Sequence, residues 1–313
     1  MLSMINRLRR YAHSLSIIPE LCARTKAIER NLETVRTAIG RVEGRQISAR
    51  NTSDFKQAEF QVHSQWGEDG LLQYLTTHVA ISHKTFVEFG VENYTESNTR
   101  FLMINNGWSG LVLDGDKKNI DFIKRDPIYW RHNLKAVHSF VTRENINQLL
   151  EENGIVGEIG LLSIDIDGND YWVWDAISGV DPAIVVVEYN SLFGPDRAVT
   201  IPYDPGFMRS KAHYSHVYYG ASLAALVHLG YRKRFAFVGT NSGGHNAFFV
   251  RRSLLPSHIK ELTATEGYIA HKFREARDRQ GRLRFTSHEE DASEICGLPL
   301  CEIFKTKTDM KRI

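Results

Sequence analysis

Five short apolar segments alternate with helix-like stretches between residues 85 and 189, and this alternation limits the fold more than any other feature of the sequence. The segments are rich in Val, Ile, Leu and Phe and nearly continuous in their apolar character. Such strands are typical of a parallel sheet that helices cover on both faces. The sequence therefore predicts an α/β fold, with strands at 85–89, 110–113, 134–140, 161–166 and 183–189.

Two more apolar segments, 231–238 and 246–251, follow a helical stretch at 220–229. The sequence GTNSGG joins them, and residues of this kind are typical of the turn of a β-hairpin. We predict a doubly wound, mostly parallel, seven-stranded sheet of the Rossmann-like kind, with an antiparallel strand at one edge.

The first 50 residues differ from the rest in charge and in periodicity. They hold ten basic and four acidic side chains, a formal charge of +6, so the remainder carries −4 of the total of +2. Apolar residues recur in the heptad spacing of a coiled coil, at Ile28, Leu32, Val35, Ile39 and Val42. We predict a basic helical extension at 1–50, which either associates with another copy of the chain or lies on its own domain.

The boundary of this extension is predicted from breaker residues. Pro19 is expected at the beginning or end of a helical segment, and the polar stretch 44–53 is expected to be a linker. Residues 51–313 then form the α/β domain.

The composition excludes several classes of protein. The mildly acidic domain argues against a broad nucleic-acid-binding face, which needs clustered Lys and Arg. There is no uncharged apolar run of about 18 residues, and the beginning of the sequence lacks the pattern of a signal peptide. Three cysteines without a Cys-x-x-Cys indicate reduced thiols. We therefore expect a cytoplasmic protein. Because the N-terminal extension is basic, we also expect a peripheral contact with the inner membrane or with a biosynthetic complex.

Acidic residues end four of the five predicted parallel strands. The carboxyl ends of parallel strands meet at one edge of the sheet, which is where open α/β sheets bind ligands. A carboxylate at the end of a core strand is costly unless it has a partner. We expect a binding cleft lined by Glu88, Asp114, Asp165, Asp167 and Glu188.

Several motifs together resemble one family of enzymes. They are SQWGEDG from Ser64, FVEFG from Phe86, SNT from Ser97, GWSGLVLD from Gly107, SIDIDGNDY from Ser163 and NAFFV from Asn246. This set, spread over about residues 61–252, resembles the FkbM-type branch of S-adenosylmethionine-dependent methyltransferases, above all bacterial members associated with surface-polysaccharide biosynthesis. The resemblance implies the class I methyltransferase sheet, with its last strand inserted antiparallel.

The resemblance also implies which residues contact S-adenosylmethionine. Glu88 and Gly90 match the motif at the first strand, and Asp114 matches the acid that binds the ribose hydroxyls. Asp165 and Asp167 match the fourth-strand motif nearest the methyl group. Gln65 is expected either to fold over the mouth of the cofactor cleft or to cap the helix that follows it. One departure is that Gly90 is followed by Val-Glu-Asn-Tyr instead of further glycines, which leaves less room for the cofactor. The same loop excludes a nicotinamide fingerprint.

Two catalytic arrangements fit the residues. In the first, Asp165 or Asp167, with Glu188 and Asn190, holds Mg²⁺, which prefers oxygen ligands and acidifies the acceptor hydroxyl. In the second, His245, or else His213 or His216, acts directly as the base. The catalytic candidates are therefore Asp165, Asp167 and His245.

The segment 193–219 is crowded with Tyr, His and Pro and is predicted to bind the acceptor. Its candidate residues are Tyr203, Asp204, His213, Tyr214 and Tyr219. We expect an O-methyltransferase that acts on a glycan, a nucleotide- or lipid-linked sugar or a phosphoryl acceptor, and that forms a homo-oligomer through the N-terminal helix. The alternatives are a methyltransferase with an RNA or protein acceptor, which the charge disfavours, and a catalytically silent scaffold that acts through the coiled coil.

Overall fold

A computed structural model describes residues 2–49, 55–272 and 275–303, with the side chains of the first helix described from 17 to 47. The strands in chain order are β1 Thr85–Phe89, β2 Ser109–Asp114, β3 Leu134–His138, β4 Gly157–Ile164, β5 Val180–Glu188, β6 Val199–Thr200, β7 Phe235–Thr240, β8 Asn246–Arg251 and β9 Cys301–Glu302. Seven of them form one sheet in the order β3-β2-β1-β4-β5-β8-β7, and β6 pairs with β9 in a small separate sheet.

The seven-stranded sheet confirms the predicted fold class. Strands β1 to β5 run parallel, and the hairpin β7–β8 lies at one edge, as predicted. Within the hairpin, β8 is inserted antiparallel next to β5, and β7 takes the outermost position. This is the strand arrangement that the family resemblance implies for a class I methyltransferase.

The topology places the binding edge between β1 and β4. The chain winds outward from β1 to β3 on one side and from β4 onward on the other, so the strand order reverses between these two neighbours. Phe89 at the end of β1 is level with Leu113 of β2 and with Ile164 of β4. The residues that follow these three strands therefore emerge side by side at one edge, where open α/β sheets hold their ligands.

Helices cover both faces of the sheet. In chain order they are α1 Leu2–Ala49, α2 Glu68–His78, α3 Arg100–Asn106, α4 Lys117–Arg125, α5 Pro127–Arg131, α6 Ile146–Glu152, α7 Asp170–Ala176, α8 Arg209–Ala212, α9 Leu223–Arg232, α10 Ala264–Gly267 and α11 His288–Glu294. Two large clusters of buried apolar side chains result, one on each face, because successive residues of the strands point to opposite sides.

The N-terminal extension is one helix, which corrects two expectations. Pro19 lies inside α1 rather than at a boundary, and the helix continues to Ala49, so residues 44–49 are not part of a linker. The rest of the predicted linker, residues 50–53, lies outside the described residues. No helix in the described ranges is long and apolar enough to cross a membrane.

The C-terminal segment packs against the predicted acceptor loop. Tyr268 donates a hydrogen bond from its hydroxyl to the backbone carbonyl of Ser191 (2.8 Å), and Tyr218 donates one to the carbonyl of Pro299 (2.5 Å). A third apolar cluster, which includes Val199, joins the loop to residues near Ile295. The loop at 193–219 is therefore held in place by described residues of the C-terminal segment, among them Ile295 and Pro299.

Candidate active site

Gly90 closes the sheet edge between β1 and β4. Its φ angle is +71°, and a Cβ atom at this position would overlap the backbone carbonyl oxygen of Asp165. Glycine is the residue that tolerates both the left-handed conformation and such a close approach of two backbones. The turn after β1 and the end of β4 therefore form one continuous wall of the cleft.

The loop after Gly90 makes its turns without further glycines. Glu92 and Tyr94 both have positive φ angles, +47° and +64°, although neither is a glycine. The Tyr94 side chain is fully buried with its hydroxyl 2.8 Å from that of Thr99, and the backbone N–H of Glu92 donates to Asp114 (2.8 Å). These contacts hold the strained backbone in place. Although the loop lacks the further glycines of the family motif, a cavity remains beside it.

Glu88 lines the cleft, but its carboxylate is bound to the protein itself. One oxygen accepts a hydrogen bond from the backbone N–H of Asn98 (2.8 Å), and the other accepts from the hydroxyl of Thr99 (2.5 Å). Burial raises its pKa to about 7 despite these bonds. Glu88 thus anchors the segment that leads into α3 while it contributes one wall of the cavity.

Asp114 at the end of β2 accepts hydrogen bonds from three protein donors. Its Oδ2 accepts the backbone N–H of Glu92, and its Oδ1 accepts the backbone N–H of Asp116 (2.7 Å) and the amide of Asn119 (3.0 Å). Each carboxylate oxygen has two lone pairs, so capacity for a ligand hydroxyl remains. The residue lines a cavity of about 150 Å³, together with Leu113 and Phe140.

Three carboxylates meet at the ends of β4 and β5. Single oxygen atoms of Asp165, Asp167 and Glu188 all lie within 4.8 Å of one another. Buried Asp170 positions this loop, because its carboxylate accepts the backbone N–H groups of Ile166 (2.8 Å) and Gly168 (2.9 Å). Oε2 of Glu188 is buried and accepts no hydrogen bond among the described residues.

The environment of these carboxylates shifts their pKa values. Burial, followed by the negative charge of Asp167, raises the pKa of Asp165 well above its ordinary value. Burial and the charge of Asp165 raise the pKa of Glu188 in the same direction. Asp165 and Glu188 are also hydrogen-bonded to each other. The pair therefore holds a proton at pH values at which an exposed carboxyl group has lost it.

Arg209 of α8 supplies the positive charge next to this cluster. It donates to Asp167 (2.7 Å) and pairs with Glu275, and its guanidinium carbon lies 4.0 Å from the ring centre of buried Tyr219. Its charge lowers the pKa values of Asp165 and Glu188, in opposition to burial. Arg209 was not predicted from the sequence, because it is one of three basic residues in its loop and has no motif around it.

Three adjoining cavities share these residues. An acid-rich cavity of about 290 Å³ is lined, among the described residues, by the guanidinium of Arg209 and by seven carboxylates, those of Glu88, Glu92, Glu96, Asp165, Asp167, Glu188 and Glu275. It shares Gly90 and Asp165 with the 150 Å³ cavity at Asp114. A third cavity, of about 480 Å³, shares Asp167 and Arg209 and is lined by Phe207, Met208, His216 and Arg277.

The structure places the other predicted site residues in different surroundings. His245 is buried with Nε2 3.2 Å from the carboxylate of Glu68, and it is not among the residues that line the acid-rich cavity, whereas its neighbour Asn246 is. Asn190 donates its amide to the carbonyls of Val217 (2.9 Å) and Tyr219 (3.0 Å), so its side chain holds the loop. Gln65 is among the residues that line the acid-rich cavity.

The predicted acceptor residues are scattered along their loop. Tyr219 lies beneath Arg209 at the site, but Tyr203 donates its hydroxyl to Glu144 at the surface and Tyr214 donates to Glu294 of α11. Nδ1 of His213 and the hydroxyl of Ser215 form a hydrogen bond of 2.7 Å. The carboxylate of Asp204 accepts the backbone N–H of Gly206 within its own turn. The residues of this loop that line the third cavity are instead Phe207, Met208, Arg209, Ser210 and His216.

Several solved structures have a distant likeness to this chain. No family model matches this sequence, and no curated protein matches it either. Solved structures that resemble it include an O-methyltransferase from Bacillus cereus in complex with SAH (14% identity, TM-score 0.34, 53% of this chain and 74% of that chain). Others are S-adenosylmethionine-dependent methyltransferases from Clostridium acetobutylicum (8%, 0.36, 58% and 88%) and Aquifex aeolicus (10%, 0.36, 59% and 88%). At such low identity, the strand order itself defines the fold of this chain.

Proposed function

We propose that this protein is an S-adenosylmethionine-dependent O-methyltransferase. The observation that carries the proposal is the acid-rich cavity at the carboxyl ends of β1, β4 and β5, where the described lining residues include seven carboxylates and one guanidinium. A cavity of this charge favours a cationic ligand and disfavours the phosphates of a nicotinamide or nucleoside triphosphate. S-adenosylmethionine has a sulfonium and an ammonium group and no phosphate.

The residues present fit this cofactor. Asp114 would accept bonds from the ribose hydroxyls, and Leu113 and Phe140 give the neighbouring cavity an apolar part for the adenine. Two buried acceptors in the acid-rich cavity, Oε2 of Glu188 and Oδ1 of Asn246, accept no hydrogen bond among the described residues. Buried polar atoms normally have partners, so a donor from a ligand accounts for both.

The carboxylate cluster suits proton removal from an acceptor hydroxyl. When bound, the cofactor supplies an electrophilic methyl group, and an acceptor oxygen displaces the sulfur in line. The protein aligns the acceptor and takes up its proton, which we assign to the pair Asp165–Glu188. Because burial raises the pKa values of both carboxyl groups, their basicity at neutral pH exceeds that of an ordinary carboxylate.

A divalent cation is the second arrangement that the residues allow. Asp165, Asp167 and Glu188 could supply three oxygen ligands to Mg²⁺, whereas Asn190 is engaged in its loop. Asp167 already binds Arg209, so a cation would compete with that guanidinium. We therefore assign the positive charge at the cluster to Arg209. Turnover that is unchanged by EDTA supports this assignment, and turnover that EDTA abolishes and Mg²⁺ restores contradicts it.

The third cavity is our candidate for the acceptor site. Its aromatic lining, Phe140 and Phe207, offers faces on which a sugar ring can stack. Arg277 also lines it, and the Arg277 side chain makes no hydrogen bond or ion pair with any described residue. An unpaired guanidinium fits a phosphate or carboxylate group. We propose a glycan or a nucleotide- or lipid-linked sugar of surface-polysaccharide biosynthesis as the acceptor.

The test is methyl transfer itself. The purified protein is incubated with methyl-labelled S-adenosylmethionine and fractions of sugar nucleotides, lipid-linked sugars and glycans, and mass spectrometry identifies the product that gains one methyl group. Incorporation that depends on Glu188 supports the proposal. Methylation confined to RNA or protein would contradict the acceptor class. A variant with Asp114 and Asp165 changed to Ala distinguishes the scaffold alternative, because a scaffold keeps its biological effect without these side chains.

A further inference from the structure

Helix α1 has two stripes of residues on opposite faces. The stripe that faces the rest of the protein is buried or half-buried and consists of Glu33, Thr37, Gly40, Gly44 and Ile47. This contact is close, because a Cβ atom at Gly40 would overlap Val62 and Phe101. An ion pair of 3.0 Å between Glu33 and Arg100 fastens the same face. The C-terminal half of α1 is thus firmly docked.

The other stripe faces away from the protein. It has the same alternating spacing of three and four residues and consists of Ile18, Leu21, Thr25, Ile28, Leu32, Val35, Ile39 and Val42. The apolar members are 49% to 59% exposed, which is high for side chains of this type. Thr37 of the docked stripe lies two residues from Val35 and two residues from Ile39. Two residues correspond to a rotation of about 200° around the helix axis. The two stripes therefore lie on opposite sides.

The outward stripe fits another helix better than any other surface. Its period is 3.5 residues, and it occupies two positions of every seven, the narrow seam of a coiled coil. Every residue from 17 to 32 is exposed, so this part of α1 projects from the protein as an isolated helix. An isolated helix of this length is marginally stable in water. A partner helix along the seam supplies the missing burial.

The charges beside the seam favour a second copy of the same helix. Arg24 and Glu29 occupy the flanking heptad positions that face each other across a parallel pair of identical helices. A membrane surface would instead favour a broad apolar face bordered by basic residues. Here the seam is narrow, and residues of both charges border it, Glu29 and Glu43 together with Arg24, Arg36 and Arg45.

We propose that this protein self-associates through a parallel coiled coil formed by the outward stripe of α1. Each α/β domain then sits on the outer face of its own helix, since the docked stripe points away from the seam. The arrangement requires no movement of α1 and leaves the candidate active site untouched. It is independent of the proposed methyltransferase activity.

The first test compares two single substitutions in the full-length protein by size-exclusion chromatography with light scattering. Ile39→Asp places a charge in the seam, and Thr34→Asp places the same charge on an exposed β-branched position outside it. We expect the wild type and Thr34→Asp to be oligomeric and Ile39→Asp to have the mass of one chain. Circular dichroism checks that each variant is folded, and ligand titration reports separately on the active site. A monomeric wild type, or an oligomeric Ile39→Asp variant, overturns the proposal.

The second test concerns orientation and the rival partner. In a parallel pair, position 28 of one helix faces position 28 of the other. In a background in which the free cysteines Cys22, Cys296 and Cys301 are changed to Ser, Ile28→Cys should therefore form an intermolecular disulfide on mild oxidation and Thr34→Cys should not. Equal cross-linking of both variants contradicts the parallel arrangement. Wild-type protein that is monomeric in solution and sediments with anionic phosphatidylserine vesicles through the same stripe would show that a membrane is the partner.

Discussion

The backbone carbonyl oxygen of Asp165 occupies the space into which any side chain at Gly90 would extend. The turn after β1 and the end of β4 are therefore as close as two backbones can be, and Asp165 is positioned by the neighbouring strand as well as by its own loop. The position of the base in the proposed mechanism depends on this contact.

Gly90→Ala should destabilise the protein by about 3 kcal/mol or more, because the new methyl group forces the two segments apart. Gly154→Ala is the matched control, since Gly154 has a similar φ angle of +78° with open space around it. That variant should lose about 1 kcal/mol, the cost of a left-handed alanine. Urea unfolding measures both values, and equal losses would show that the overlap with Asp165 has no consequence.

Asp114→Ala should weaken the binding of S-adenosylhomocysteine about 10- to 100-fold, the range expected when hydrogen bonds to a charged group are lost. Asp116→Ala serves as the control. Its carboxylate also accepts a backbone N–H, that of Lys118, but caps α4 outside the cavity. Asp114→Ala should lose more stability, because its carboxylate accepts three hydrogen bonds and that of Asp116 one, but both variants should remain folded and the dissociation constant should rise in Asp114→Ala alone. Equal affinities would remove Asp114 from the cofactor site.

Glu188→Gln should lower kcat about 10²- to 10⁴-fold, the usual contribution of a general base. The same change should stabilise the protein. The pKa of Glu188 is raised in the folded state, so the folded protein binds more protons than the unfolded chain above pH 4.5, and wild-type stability falls as pH increases.

The stability gain of Glu188→Gln should therefore be small near pH 4 and grow toward neutral pH, as measured by denaturant unfolding across the pH range. Glu158→Gln, at the exposed beginning of β4, is the control and should change neither kcat nor the pH dependence. A gain of Glu188→Gln that stays constant with pH would contradict the raised pKa.

Arg209→Ala should move the rising part of the pH–rate profile to higher pH. The guanidinium lowers the pKa values of Asp165 and Glu188, so its removal leaves the pair protonated to higher pH and reduces the rate at neutral pH. Arg209→Lys keeps the charge and should shift the profile less. Arg197→Ala, which loses an exposed pair with Glu302, is the control. An unshifted or acid-shifted profile would show that Arg209 does not control the base.

The part of the site that lies at the carboxyl ends of the strands could be predicted from the sequence. Parallel strands bring their carboxyl ends to one edge, so Asp114, Asp165 and Glu188 could be grouped without knowledge of side-chain contacts. The role of Glu88 was less predictable. Its position in the motif indicates the cofactor, yet its oxygens accept bonds from Asn98 and Thr99, which follow in the next loop.

The loops could not be assigned in the same way. Arg209 and Glu275 reach the cleft from segments far apart in the chain, and neither periodicity nor a motif indicates that they meet. Aromatic content led to Tyr203 and Tyr214, whose hydroxyls bind acidic side chains away from the cavities. In α1, a proline predicted a boundary, but the helix continues on both sides of Pro19.

Isothermal titration of the full-length protein with S-adenosylmethionine and S-adenosylhomocysteine tests the central claim most directly. We predict saturable binding of both at one site per chain, lost in a variant that carries Asp114→Ala and retained in Asp116→Ala. The absence of detectable heat with either compound at millimolar concentration would contradict the claim that the acid-rich cavity holds a cationic methyl donor.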